Sequence, residues 1–218
     1  MNESILIEST TDYNMSAIVY NTNKPIVLAS GSPRRKQFLA ALGIEFTIEK
    51  HAGDEPLPEK GEAPNDFACR CALTKTMAVK EVSKAQNACF IGADTIVVLD
   101  DEVMGKPADN GHALDMLSRL SGNVHKVITA TAIVYADGTT DVDAVETAVT
   151  MKKYDDDALN AYIRTGEPSD KAGAYAIQGI GSFLVESICG SWSNVVGLPV
   201  TELLEKLTKA GVLSPSLS

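Results

Sequence analysis

Nowhere in the 218 residues does an apolar run approach the ~20 residues that a membrane-spanning helix requires. No basic stretch followed by an apolar core opens the chain either. Neither membrane insertion nor secretion is therefore expected, and a cytoplasmic protein is. Basic residues are outnumbered, 19 Lys and Arg against 29 Asp and Glu, for a net charge of −10. This excess of acid speaks against a nucleic-acid-coating surface, so any anionic ligand must be held by a local basic cluster. The four cysteines, Cys69, Cys71, Cys89 and Cys189, lack zinc-ribbon spacing. They are expected to be free, mostly buried thiols in a reducing compartment. There is no repeat, linker or low-complexity tract. The P-loop pattern G-x-x-x-x-G-K-[ST] is missing, and Gly179-Ile180-Gly181 lacks the third glycine of a dinucleotide fingerprint, which disfavours P-loop and Rossmann chemistry. His51, His112 and His125 are not spaced as ligands. No partner His is identifiable for Ser30, Ser32 or Thr95, so a covalent nucleophile is not expected. The histidines read as structural or surface residues.

What is present is the composition of a globular protein with a sizeable core, 44% hydrophobic and 22% charged. Its length suits one large domain or two small lobes. Residues 1–24 read as an extension outside the core, with a short strand near Ser16 to Tyr20. Ile26 to Ala29 is a short buried-strand run, and the helix after it has Ser32 as N-cap, Pro33 as first residue and Gly43 as stop. A second helix is predicted from Asp66 to about Lys84, with Phe67, Cys71, Ala78 and Val82 on its inner side. Cys89 to Ala93 and Ile96 to Leu99 read as two strands, followed by a turn at Asp100-Asp101. Asn110 to Leu120 is helical, with an apolar stripe of Leu114, Leu117 and Leu120. Val124 to Tyr135 and Asp141 to Met151 alternate as an antiparallel pair around Ala136-Asp137-Gly138. A helix from Asp155 to Thr165, a Gly-rich loop from Gly173 to Gly181, a strand from Phe183 to Ile188 and a helix from Thr201 to Ala210 complete the chain. Strands and helices in mixed order predict an α/β protein with a mixed sheet.

The residues with chemical character cluster at element junctions. Arg34, Arg35 and Lys36 occupy the opening turn of a helix, where positive charge opposes the macrodipole. Something negative should therefore sit nearby. With Ser30, Gly31 and Ser32 just ahead, the segment has the parts of a phosphate cradle. Gly92-Ala93-Asp94-Thr95, between two predicted strands, offers a carboxylate and a hydroxyl at a strand end or hairpin edge inside the fold. A carboxylate there calls for a partner or a metal. Gly105-Lys106-Pro107 holds a lysine in a rigid loop, and Lys75 projects from the second helix.

These motifs resemble the Maf family of nucleoside triphosphate pyrophosphatases. The likeness runs through Leu28-Ala29-Ser30-Gly31-Ser32-Pro33-Arg34-Arg35, Gly92-Ala93-Asp94-Thr95, Gly105-Lys106-Pro107, and Leu120-Ser121-Gly122 with His125. It continues through Gly166-Glu167-Pro168, Asp170 to Gly179, and Val196-Gly197-Leu198-Pro199. It spans about Pro25 to Ala210, so the family-like domain is assigned to residues 25–212 and a tail to 213–218. The Asp170 to Gly179 stretch is similar to the branch acting on dTTP and UTP rather than 7-methyl-GTP. The resemblance implies an inosine-triphosphatase-like fold, an extended mixed sheet with flanking helices around a substrate cleft. By residue, it implies a general base at Asp94, base-specificity positions at Arg34, Thr95 and Gln178, and phosphate-binding lysines at Lys75 and Lys106. It also implies a metal- and water-assisting acid at Glu55, beside Asp54. Ala176 departs from the motif, where glycine is commoner. A homodimer is implied as well.

The chemistry so implied is a nucleoside triphosphate plus water giving a monophosphate plus pyrophosphate. Ser30, Arg34, Arg35, Lys75 and Lys106 would bind the substrate, and Mg²⁺ or Mn²⁺ held by Glu55, Asp94 and the triphosphate would supply further positive charge. Asp94 would take the proton of the attacking water. Gln178 carries an acceptor and a donor in one side chain, matching the edge of thymine or uracil. Three other readings stand beside this one: a 7-methyl-GTP pyrophosphatase, a nucleotide-binding regulator of cell division or septum formation, and a structural module.

Overall fold

The computed structural model of the protein describes residues 18–50 and 56–217. The first element, β1 (Tyr20–Thr22), leads into β2 (Ile26–Leu28), whose three side chains are all buried. Next come α1 (Pro33–Ala41), β3 (Thr47–Ile48), α2 (Pro64–Val82) and β4 (Cys89–Leu99). After β5 (Glu102–Met104) and α3 (Asn110–Leu120), a long hairpin forms from β6 (Val124–Val134) and β7 (Thr140–Met151). The chain ends with α4 (Asp156–Ile163), a series of single 3₁₀ turns over 167–184, β8 (Val185–Cys189), α5 (Trp192–Val196), α6 (Val200–Lys209) and β9 (Leu213–Pro215).

The main sheet runs β3-β2-β4-β6-β7-β8, with β5 on β4. β2 is parallel to both β3 and β4, and every other pairing is antiparallel, so the sheet is mixed as the element order predicts. Among the described residues helix α2 packs alone on one face, over Ile96, Val98, Ile128, Ala130 and Ala132. The other face is covered by two separate clusters. One joins α1 and α6 around Ile91 and Ile133, and the other joins α3, α4 and the 3₁₀ segment around Val97, Val127 and Val149. Among the described residues no helix is long and apolar enough to cross a membrane.

Several elements differ from their sequence-based expectation. Cys89 to Leu99 is one strand of eleven residues, so Asp94 and Thr95 stand mid-strand rather than at a strand end. The ladder to β6 is unbroken through Gly92↔Ala132, Ala93↔Thr131, Asp94↔Ala130 and Thr95↔Thr129. Gly92 does not interrupt the strand; it admits α2, because a Cβ there would stand 1.9 Å from Thr76 Oγ1. In α2 the expected inner residues Phe67 and Cys71 are buried, while Ala78 and Val82 depart from the expectation. Its buried residues are Phe67, Ala68, Cys71, Ala72, Thr76 and Val79, whereas Val82 is 66% exposed at the helix end and Ala78 is half-buried. Small residues win the inner face because the helix must lie close to Gly92.

The extension is not detached in its last residues. β1 pairs antiparallel with β9, and Tyr20 packs on the α1–α6 cluster. That strand reaches from Tyr20 to Thr22, and Ser16 lies outside the described residues. The strand expected at Phe183 begins at Val185, after a 3₁₀ turn, and α5 was not foreseen although Ser191 and Gly197 frame it as caps. The cysteines are free; Cys71 and Cys89 are buried, Cys69 half-buried and Cys189 exposed.

Candidate functional site

Two strands line the same edge of β4. β2 ends at Leu28, opposite Ile91, and β5 ends at Met104, opposite Val97, so among the described residues no strand covers that edge from Gly92 to Ile96. Backbone polar groups on such an edge need partners. One is the carbonyl of Ala93, which accepts from Arg35 Nη1 at 2.8 Å.

Because side chains alternate across a strand, the two adjacent polar residues of this edge go to opposite faces of the sheet. Asp94 shares the α2 face with Gly92 and Ile96, and its Oδ1 lies 2.6 Å from the ammonium of Lys75. Both side chains are partly exposed, Asp94 at 15% and Lys75 at 31%. The close approach of α2 at Gly92 seats Lys75, next to Thr76, over the carboxylate.

Thr95 lies on the other face, among buried polar groups. Arg35 Nη2 donates to Thr95 Oγ1 at 3.1 Å, and Thr95 Oγ1 is 3.0 Å from Thr129 Oγ1. Thr129 donates to the backbone carbonyl of Asn194 at 2.8 Å, and its own N–H donates to Asn194 Oδ1. Asn194 is fully buried, and its amide nitrogen donates to Val127 O and to Thr147 Oγ1. A Cβ at Gly197, where φ is +120°, would stand 3.3 Å from Thr95 Oγ1. The Gly197 turn thus lies directly against this hydroxyl.

The two arginines at the head of α1 find negative partners of a kind the sequence did not reveal. Arg34 Nε donates to Val196 O at 3.2 Å and Arg35 Nε to Gly197 O at 2.7 Å, the carbonyls at the C-terminal end of α5. Positive charge at one helix start thereby caps the negative end of another. Arg35 also donates to Ser30 Oγ, so four of its five N–H groups are spent within the protein. Desolvation pulls its guanidinium down to about 10, against the field of Asp94, which holds it up. Such an arginine has little left to offer a phosphate beyond its charge.

Ser30 is buried, and its Oγ accepts from the N–H of Ser32 as well as from Arg35, so the expected cradle is partly filled by its own side chains. Lys50, which the sequence reading passed over, folds across Gly31, with its Nζ 3.2 Å from where a Cβ would stand. Lys106 is exposed on the loop after β5, and Gly173 N–H donates to Gly105 O, tying that loop to the segment carrying Gln178. Gln178 is exposed, and among the described residues no hydrogen bond joins it to Arg34 or Thr95. Its segment is held by Glu167, whose carboxylate accepts from the N–H groups of Ile180 and Gly181 and from the Tyr162 hydroxyl. Asp170 is held below the usual carboxylate range chiefly by Lys171 and in smaller part by Arg34, which links this segment electrostatically to the head of α1.

His51, Asp54 and Glu55 lie outside the described residues. Among the described residues no three His, Cys, Asp or Glu side chains converge as a metal site. Asp94 is an oxygen donor of the type Mg²⁺ takes singly or in pairs, the rest of its shell coming from phosphates and water. Of the other histidines, His112 Nδ1 accepts from Ala108 N–H on the surface. His125 is buried with Nε2 2.7 Å from the Tyr175 hydroxyl. A separate concavity of about 680 Å³ opens near Lys24, Cys89, Tyr135 and Lys206, at the far end of β4, and contains none of the site residues.

A model of the family described as Maf-like protein matches residues 25–210. The dTTP/UTP pyrophosphatase of Oleidesulfovibrio alaskensis is 51% identical over 199 residues, 90% of each chain. That of Geobacter metallireducens is 50% identical over 194 residues, 88% of this chain and 98% of the relative. That of Desulfotalea psychrophila is 45% identical over 197 residues, 90% of this chain and all of the relative. Among solved structures, the nucleoside-triphosphatase / dITP/XTP pyrophosphatase of Mycobacterium abscessus covers 86% of this chain and 94% of its own. It is 16% identical with a TM-score of 0.40.

Proposed function

The chain belongs to the Maf-like family, and on that premise we propose that it hydrolyses dTTP and UTP to the monophosphate and pyrophosphate. The observation that carries the reading is the 2.6 Å pair of Asp94 with Lys75 on the open edge of β4. It stands in a chain about half identical to proteins named dTTP/UTP pyrophosphatase.

In this reading Asp94 is the general base. Its carboxylate is oriented by the Lys75 ammonium, and it takes a proton from the water that attacks the α-phosphorus. Lys75, Lys106 and Arg34 set positive charge against the triphosphate, which lowers the repulsion an incoming water meets and stabilises the pyrophosphate that leaves. Ser30 and Arg35 bind from behind, Arg35 mainly by closing the strand edge and fixing Thr95. A divalent cation, Mg²⁺ or Mn²⁺, held by Asp94 and Glu55, would add Lewis-acid neutralisation of phosphate charge. The base is read by Arg34, Thr95 and Gln178. No covalent intermediate is involved, since the hydroxyls of Ser30 and Thr95 are engaged by Arg35 rather than by a base.

The net charge of −10 favours a small anionic substrate over nucleic acid, and four free thiols suit a cytoplasmic setting. The enzyme acts as a homodimer in this reading. The test is a panel of nucleoside triphosphates, 7-methyl-GTP included, with pyrophosphate and orthophosphate measured separately. Pyrophosphate release fastest from dTTP and UTP is expected. Orthophosphate release, or preference for 7-methyl-GTP, overturns the proposal.

A further inference from the structure

The hydroxyl chain beneath Thr95 has only one possible polarity. At one end stands a guanidinium, which can only donate, and at the other a backbone carbonyl, which can only accept. Arg35 Nη2 donates to Thr95, and Thr129 Oγ1 sits 2.8 Å from Asn194 O, a distance that requires the Thr129 proton between them. With that proton spent, the 3.0 Å contact between the two threonine oxygens can be filled only by the proton of Thr95. Thr129 cannot swing away, because its N–H is also held by Asn194 Oδ1, and Asn194 is itself anchored to Val127 O and Thr147. Thr95 Oγ1 has therefore given up its proton and one lone pair. One lone pair is left on a half-buried side chain beside the open edge of β4.

From this we infer that Thr95 is a locked hydrogen-bond acceptor and the discriminator between uracil or thymine and cytosine. This inference rests on the reading that a pyrimidine base is placed against Thr95. The imide N3–H of uracil and thymine is a donor, whereas N3 of cytosine carries a lone pair that would face the lone pair of Thr95. Gln178 cannot supply this discrimination alone. A side-chain amide turned over about its last bond offers donor for acceptor, and Gln178 is exposed with no described hydrogen bond to fix it. A hydroxyl whose proton is committed cannot adapt in that way. Its refusal of an acceptor is the kind of unpaired contact on which polar sites base selectivity. Thr129 and Asn194 touch no substrate; they are positioning residues acting through Thr95.

The inference is tested by kcat/KM for UTP and CTP in wild type, Thr129→Val, Thr129→Ala and Thr129→Ser, with folding followed by circular dichroism. Valine and alanine remove the acceptor for the Thr95 proton, which can then turn toward the base. The UTP-to-CTP ratio should fall about three- to tenfold, the worth of one neutral hydrogen bond. Serine keeps the hydroxyl and should hold the ratio within about twofold, which a general packing defect would not produce. Folded valine and alanine variants with the wild-type ratio overturn the inference. A wild type that releases pyrophosphate without separating UTP from CTP overturns instead the base-reading on which it rests. A measurement independent of variant folding uses N3-methyl-UTP on wild type. Turnover more than about tenfold below UTP is expected, and turnover equal to UTP overturns the locked acceptor.

Discussion

Asp94 and Thr95 are neighbours in the chain, yet they belong to two physically different faces of one sheet. On the α2 face Asp94 is held by its ion pair with Lys75, partly exposed and seated by one close helix contact. On the opposite face Thr95 heads a network in which Arg35, Thr129, Asn194 and Thr147 satisfy one another out of water. An ion pair near solvent can exchange partners at little cost, as a base that must accept and release protons requires. A buried and fully satisfied network is stiff, and each missing member leaves a costly orphan. The contrast teaches that the reactive group and the reading group sit on one strand edge but are held by opposite means.

The sharpest test of that contrast removes the charge from the labile face. Asp94→Asn should lower kcat for dTTP by 10²–10⁴, the usual worth of a general base, while the urea midpoint moves little. A kcat within tenfold of wild type would show that Asp94 is not the base. The opposite result is expected on the stiff face. Asn194→Leu, which keeps the branching of the side chain without the amide, should cost about 3–4 kcal/mol in urea unfolding. It leaves the N–H of Thr129, the carbonyl of Val127 and the Thr147 hydroxyl short of partners. A loss below about 1 kcal/mol would mean that the network is not what stiffens this face.

A third expected effect concerns acid. His125 is buried on the same face as Thr95, and among the described residues its Nδ1 has no partner; burial pulls it down to about 4. The unfolded chain takes up this proton near pH 6.5, and the folded protein refuses it until about pH 4. Stability is thus little changed above pH 6.5 and declines as pH falls through that window, by about 2–3 kcal/mol at pH 4.5. Urea unfolding of wild type and His125→Gln from pH 7 to 4.5 should show the extra slope in wild type alone; parallel curves would contradict it. The smallest effect is expected from Gln178→Ala. It should narrow the preference for dTTP over ATP several-fold, about 0.5–1.5 kcal/mol, with no change in Tm, since the side chain is exposed. An unchanged kcat/KM ratio would remove Gln178 from base reading.

Much of the fold was legible wherever short-range signals act. The bounds of α3, Asn110–Leu120, follow from its apolar stripe and the glycine at 122. The antiparallel pairing of β6 with β7 follows from alternation around a turn. The gap read between two strands at Gly92–Thr95 was the main misreading, because glycine and aspartate are poor strand formers taken alone. Nine paired residues of ladder to β6 and the need of α2 for a smooth, close surface override that weakness. The inner face of α2 was read correctly at Phe67 and Cys71 and missed toward its C-terminal end, for the same reason. Large apolar residues such as Val82 were expected inside, but the sheet contact demands alanine and threonine. At the site, the clustering of Arg34 and Arg35 against a helix dipole was visible, and with it the expectation of something negative nearby. The partner was invisible because it is a pair of backbone carbonyls 162 residues away, at the end of a five-residue helix.

By itself the sequence determined the residue types of the site, the mixed α/β order and the positions of most helix ends, since all of these depend on neighbours within a few residues. Only the tertiary structure decided that β2 stops at Leu28 and β5 at Met104, opposite Val97, leaving the Asp94–Thr95 edge uncovered between them among the described residues. It alone decided that these two side chains answer to different faces, one to Lys75 and one to Arg35 and Thr129. Hydrogen-bond polarity is a property of a complete chain from donor to final acceptor. Here that chain runs from Arg35 through Thr95 and Thr129 to the carbonyl of Asn194, residues that only folding brings within 3 Å or so of one another.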